Sequence, residues 1–142
     1  MATQLSKPAF LIQIIRSLMY NISYTTTVVI FGIFICSSAL FNARLSRWFF
    51  VKWSNFNLWS LGAICGLRYK LEGLENIPDK PVVIMPKHQS TFETMALPTF
   101  FPQQAWVVKK ELIKIPFFGW GLTALRSIAI DRTAGIKSLK MI

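Results

Sequence analysis

The chain has 142 residues, one domain's worth, and its 53% hydrophobic and 14% aromatic content is rich for a soluble domain and points towards a membrane. Its net charge of +10 could serve nucleic acid or an anionic lipid surface, but the basic residues of the first half flank apolar segments instead of forming an Arg/Lys tract, which favours lipid. With a single histidine, and with Cys36 and Cys65 far apart in apolar surroundings, a metal site is not expected and both cysteines read as unpaired thiols, consistent with a reducing compartment.

From the N-terminus, apolar residues recur with helical spacing over 5–22, including Leu11, Ile14, Ile15, Leu18, Met19 and Ile22. No charge falls between Ser17 and Ala43, a span of 27 residues centred on TTTVVIFGIFICSSALF. About 20 apolar residues cross a bilayer, so a membrane helix is expected here; a signal peptide and a buried soluble helix are the alternatives. Arg44, Arg47 and Lys52 follow, interleaved with Trp48, Phe49, Phe50, Trp53, Phe56 and Trp59, a mixture suited to the water–bilayer interface. Phe49, Trp53 and Phe56 share one face at i, i+4 and i+7, which predicts a helix lying on the surface, or else aromatics packed against the following domain. The basic excess after the apolar span places the C-terminal part on the cytoplasmic side.

Past Gly66 the pattern becomes globular. Residues 67–74 alternate as a half-buried strand, and 82–85 (VVIM), entered through Pro81, read as an inner strand. A helix should start near Ser90 and run towards Pro98, with Pro102 closing the loop behind it. Residues 105–108 are a third strand candidate, 115–125 a loop and short helix, and 127–130 a fourth strand ending at Asp131 and Arg132. Strands separated by helices predict an α/β sheet, so the division is 1–66 as a membrane-spanning or interfacial helical region and 67–142 as a globular part.

His88 is the only side chain suited by its ordinary pKa to acid and base work near neutrality. Glu93 lies five positions on, about 140° around a regular helix, so the two meet only if His88 sits in the loop and Glu93 in the first helical turn. A carboxylate on the imidazole would fix its tautomer and leave the other nitrogen to take a proton from a hydroxyl. Ser90 to Glu93 is equally an S-x-x-E capping box, in which Glu93 only satisfies a backbone N–H.

The segment Lys87-His88-Gln89-Ser90-Thr91-Phe92-Glu93-Thr94 resembles the H-x4-D/E motif of the glycerolipid acyltransferases, most closely the bacterial 1-acylglycerol-3-phosphate acyltransferases. YKLEGLENIP at 69–78, KKEL and IPFFG at 109–119, and SIAIDR at 127–132 are similar to further family segments in the same order, with Ser127 where a glycine is usual and Glu93 where Asp is more widespread. The resemblance covers 67–142. It implies N-terminal membrane-associated helices followed by a mixed sheet flanked by helices, with His88 as general base, Glu93 as its orienting partner, and Arg132 and Lys87 as substrate-binding cations. The implied reaction is acyl transfer from acyl-CoA or acyl-carrier protein, as co-substrate without a cofactor, to lysophosphatidic acid. The setting it implies is the cytoplasmic side of a bacterial inner membrane, with no nucleic acid partner. Glycerol 3-phosphate or another lysolipid is the alternative acceptor, and a catalytically inactive basic membrane-binding fragment is the alternative of another class.

The family's Glu-Gly-Thr-Arg loop and its proline-bearing fourth motif occur nowhere in the sequence. Residues 136–142 read as the helix ahead of that loop, without a stop signal, so the expectation is the N-terminal part of a longer protein.

Overall fold

The computed structural model describes residues 7–87, 89–101 and 104–131. The expectations placed on His88, Pro102, Arg132 and the helix at 136–142 lie outside the described residues. What is described is mostly helical, with one small parallel sheet.

Two long helices form an antiparallel hairpin: α1 (Lys7–Ala39) and α2 (Ala43–Cys65). The reversal is short because Asn42, extended at φ −157°, accepts the Arg44 N–H on its side-chain oxygen at 2.8 Å and starts α2 at once. Gly66 ends α2 in the left-handed region at φ 72°, its N–H donating to the Gly62 carbonyl. The seam between the helices is polar and close. Ser38 and Ser46 hydroxyls meet at 3.1 Å, Thr27 donates to Asn57 at 3.3 Å, and Asn57 donates to the Trp53 carbonyl at 2.9 Å. Small hydroxyl side chains let backbones approach while keeping their own hydrogen bonds.

Helix α3 (Phe92–Phe100) docks onto this hairpin. The core is shared: Trp53 and Leu58 from α2 pack with Met95 and Ala96 from α3, and Tyr24, Val28 and Phe31 of α1 close the cluster. Trp53 is 4% exposed, stacked 5.7 Å from Phe50 and tilted against Tyr24 at the same distance. The expected surface face of Phe49, Trp53 and Phe56 is therefore corrected. Trp53 turns inward because α1 and α3 offer it an apolar slot, and the outward row of α2 is Trp48, Lys52, Phe56 and Trp59 instead. The Lys52 ammonium lies 5.3 Å from the Trp48 ring centre.

The sheet consists of β1 (Val107–Lys109) and β2 (Ile128–Ile130), parallel and in register Val107 to Ile128 and Lys109 to Ile130. Between them run a 3-10 turn (Lys110–Lys114) and α4 (Phe118–Ala124), a crossover that parallel strands require. The strands expected at 105–108 and 127–130 are found with ends shifted by one or two residues. Those expected at 67–74 and 82–85 are not strands: both are irregular, apart from a 3-10 turn at Leu74–Asn76. A strand exists only through a neighbour's hydrogen bonds, and among the described residues neither segment has one. The mixed sheet expected is, over the described residues, a two-stranded parallel one.

Helix α4 rests on α1, where Phe117 packs over Gly32: a β-carbon at Gly32 would lie 3.5 Å from that of Phe117. Phe117 itself has φ 62° and ψ −53°, with the Phe118 N–H donating to the Pro116 carbonyl at 2.7 Å, a tight and strained three-residue turn.

Candidate active site

Glu93 stands in the first turn of α3, as its expected pairing with a loop histidine requires. Its carboxylate is fixed by the chain that precedes it. Oε1 accepts the Gln89 N–H at 3.3 Å, while Oε2 accepts the Ser90 N–H at 3.0 Å and the Ser90 hydroxyl at 3.1 Å. The Ser90 Oγ accepts in turn from the Phe92 N–H at 3.2 Å, so of the capping box read from the sequence the Glu93-to-Ser90 N–H half is formed, with α3 beginning two residues later than expected. These contacts hold the carboxyl well below its usual range, at about 2, chiefly through its own backbone N–H, with partial burial opposing and the donors at Gln89 and Ser90 assisting. Glu93 is therefore an anion at neutral pH.

Beneath this turn the helix is anchored. Met95 and Ala96 face the Trp53 cluster, and the Tyr20 hydroxyl of α1 donates to the Met95 sulfur at 3.2 Å. The Phe92 ring meets Tyr69 edge-on at 5.4 Å, with Phe100 beyond it. The 67–74 segment thus braces the capped end of α3 through one aromatic side chain instead of through a strand. Ser90 was legible in the sequence as a cap; Tyr20 and Tyr69 were not, because nothing local marks their contacts with Met95, 75 residues away, and with Phe92.

Of the other expected site residues, Lys87 is described and exposed, while His88 and Arg132 fall outside the described residues. The flanking geometry is nonetheless ordered. Because β1 and β2 are parallel, Lys109 and Ile130 end them at one edge, and Asp131 follows directly there. In open α/β sheets the carboxyl ends of parallel strands are where ligands collect. Among the described residues no three His, Cys, Asp or Glu side chains cluster as metal ligands would.

An α/β crossover unit with a capped, ionised Glu93 five residues beyond a histidine defines a class that comparison makes specific. The family model for acyltransferases matches residues 68–142, and the chain belongs to the acyltransferase family. It is 40% identical over 134 residues to a 1-acyl-sn-glycerol-3-phosphate acyltransferase of Pseudomonas aeruginosa, covering 92% of this chain and 52% of that protein. Proteins of the same name from Saccharomyces cerevisiae and Helicobacter pylori are 35% and 38% identical over 69 and 72 residues, about half of this chain and 23% and 30% of theirs. The chain thus spans about half the length of the first relative and less of the other two. No solved structure matches it significantly.

Proposed function

We propose that the chain carries the proton-handling part of an enzyme that acylates 1-acylglycerol 3-phosphate to phosphatidic acid. In this reading His88 removes the proton of the free glycerol hydroxyl as its oxygen attacks the thioester carbonyl of acyl-CoA or acyl-carrier protein. The carbon–sulfur bond then breaks, and the thiolate leaves with the proton from the imidazolium. Glu93 orients the imidazole and stabilises its charged form, while Arg132 and Lys87 receive the acceptor's phosphate. The observation that carries the reading is Glu93: a carboxylate ionised to about pH 2 and held by three hydrogen bonds, within a segment that matches the acyltransferase family.

The test is a pair of substitutions in the vesicle-bound protein. His88→Ala and Glu93→Gln should each lower acyl transfer by about 10²-fold or more, with the helix content of circular dichroism kept. Near-normal turnover in the Gln variant would reduce Glu93 to a cap. The second reading is an inactive membrane-binding module, whose vesicle binding would ignore both substitutions.

The membrane part of the proposal rests on α1. Its stretch Pro8–Ala39 is long and apolar enough to cross a bilayer, and Leu11, Ile15, Leu18, Ile22, Val29 and Ile33 form an exposed apolar row along it. Yet α3 touches it at Tyr20 and α4 at Gly32, inside that same stretch. The turn with Lys110, Glu111 and Lys114 packs on α4, which itself packs on α1, and a charge carried into a lipid slab there would cost several kcal/mol. We therefore place α1 in the plane of the cytoplasmic leaflet, its apolar row in the lipid and Trp48, Lys52 and Trp59 of α2 at headgroup level.

A further inference from the structure

The turn after β1 concentrates positive charge that the acyl-transfer reading has not used. Lys109 closes the strand, and Lys110 and Lys114 stand at the two ends of the 3-10 turn; all three are exposed. Glu111 is the single acid among them, and among the described residues none of the three lysines has a carboxylate partner. Cations on a solvated face usually mean solubility only. Two features set these apart.

The first is place, since the turn opens at the strand-end edge where the ligands of parallel sheets bind. The second is rigidity. The Ile115 N–H closes the turn on the Leu112 carbonyl, the Gly119 N–H binds Ile115 at 2.7 Å, and the Ile113 carbonyl packs where a side chain on Gly119 would stand. The lysines are thus mounted on a fixed frame, with exposed Ile115 directly after them offering an apolar neighbour.

We propose that Lys110 and Lys114 bind the acyl donor through the phosphate of its phosphopantetheine arm, the group that acyl-CoA and acyl-carrier protein share. The inference rests on the acyl-transfer reading and adds to it a donor site separate from the acceptor's phosphate. An ammonium suits this contact, being a point charge on a flexible stem that tolerates a mobile phosphate ester.

The experiment measures equilibrium binding of coenzyme A, phosphopantetheine and pantetheine to the vesicle-bound chain, which needs no turnover. Coenzyme A and phosphopantetheine should compete with each other and bind about tenfold or more tighter than pantetheine, and Lys110→Glu with Lys114→Glu should abolish that preference. The milder Lys→Ala pair should weaken it in the same direction. Holo acyl-carrier protein should displace coenzyme A from the unsubstituted chain but not from the variants. Binding of coenzyme A without competition by phosphopantetheine would move the contact to the nucleotide and overturn the assignment. So would affinities indifferent to both substitutions, or an effect confined to vesicle binding, which would make the lysines a lipid contact. A chain that binds coenzyme A through these lysines yet transfers no acyl group overturns the proposed activity alone; an active chain whose coenzyme A binding ignores them overturns this inference alone.

Discussion

Gly119→Ala is the sharpest test of the packing that holds the strand-end turn. A β-carbon built on Gly119 would lie 2.1 Å from the Ile113 carbonyl oxygen, 2.4 Å from its carbon and 2.7 Å from the Leu112 oxygen. Real contacts of this kind stay beyond roughly 3 Å, so backbone must move by roughly 1 Å in a packed interior, where no flexible side chain can yield. Overpacking of this kind costs about 3 kcal/mol, which for a chain of this size lowers the melting temperature by about 10 °C. The matched control is Gly121→Ala in the same helix. Nothing lies within 4 Å of its added methyl, so the higher helix propensity of alanine, about 1 kcal/mol, should appear as an unchanged or raised melting temperature. Both are read by circular dichroism in detergent at one scan rate. If the Gly119 variant melts within about 2 °C of the parent, the turn is not pressed against α4 as described, and the rigid frame claimed for Lys110 and Lys114 goes with it.

Three further outcomes are expected. Arg126 is the left-handed residue, φ 57°, of a helix-ending motif in which its N–H donates to the Thr123 carbonyl and that of Ser127 to Leu122, so Arg126→Gly should stabilise by about 1 kcal/mol; a lower melting temperature would mean that the arginine side chain does something the backbone does not reveal. Trp53→Ala should cost about 3–5 kcal/mol, whereas Trp59→Ala, at 67% exposed, should leave unfolding unchanged and weaken vesicle binding, and the reverse ranking would invalidate the inward turn of Trp53. Glu93, with its carboxyl lowered from 4.5 to about 2 on folding, contributes stability that is complete above the unfolded value and is lost as pH falls from about 4.5 towards 2. Acid unfolding of the parent should therefore be steeper in that window than that of Glu93→Gln, and parallel curves would refute the shift.

The features that local chemistry dictates were readable from the residues. Gly66 ends α2 because only a residue without a side chain takes φ 72° at no cost, and Ser90 and Glu93 pair at the start of α3 because they answer each other within four residues. Features set by distant neighbours were not. Phe49, Trp53 and Phe56 lie on one helical face by spacing, but which of them turns inward depends on Met95 and Tyr24, which spacing does not contain. Residues 82–85 have the composition of an inner strand and the exposure of an uncovered one, because strand character is conferred by partners and the β1–β2 pair does not reach them. The apolar run of α1 reads as a crossing helix and is long and apolar enough to be one, whereas its contacts at Tyr20 and Gly32 come from residues far along the chain.

Capping and catalysis, which compete for Glu93 in the sequence, need not compete in the folded chain. A carboxylate offers about four acceptor positions on two oxygens. The Ser90 N–H and hydroxyl lie on Oε2, whereas Oε1 takes the Gln89 N–H. The Ser90 and Gln89 donors then fix the Glu93 carboxylate at the start of α3 and keep it ionised, which is what the proposed orienting role needs. Glutamine at 93 can still accept on its single carbonyl oxygen, so it can satisfy either the Ser90 pair or an imidazole N–H with that atom, and it brings no charge to an imidazolium. A large loss of acyl transfer with little loss of helix in that one variant is what a shared cap and orienting partner requires. A pure cap would lose helix stability first and activity only in proportion.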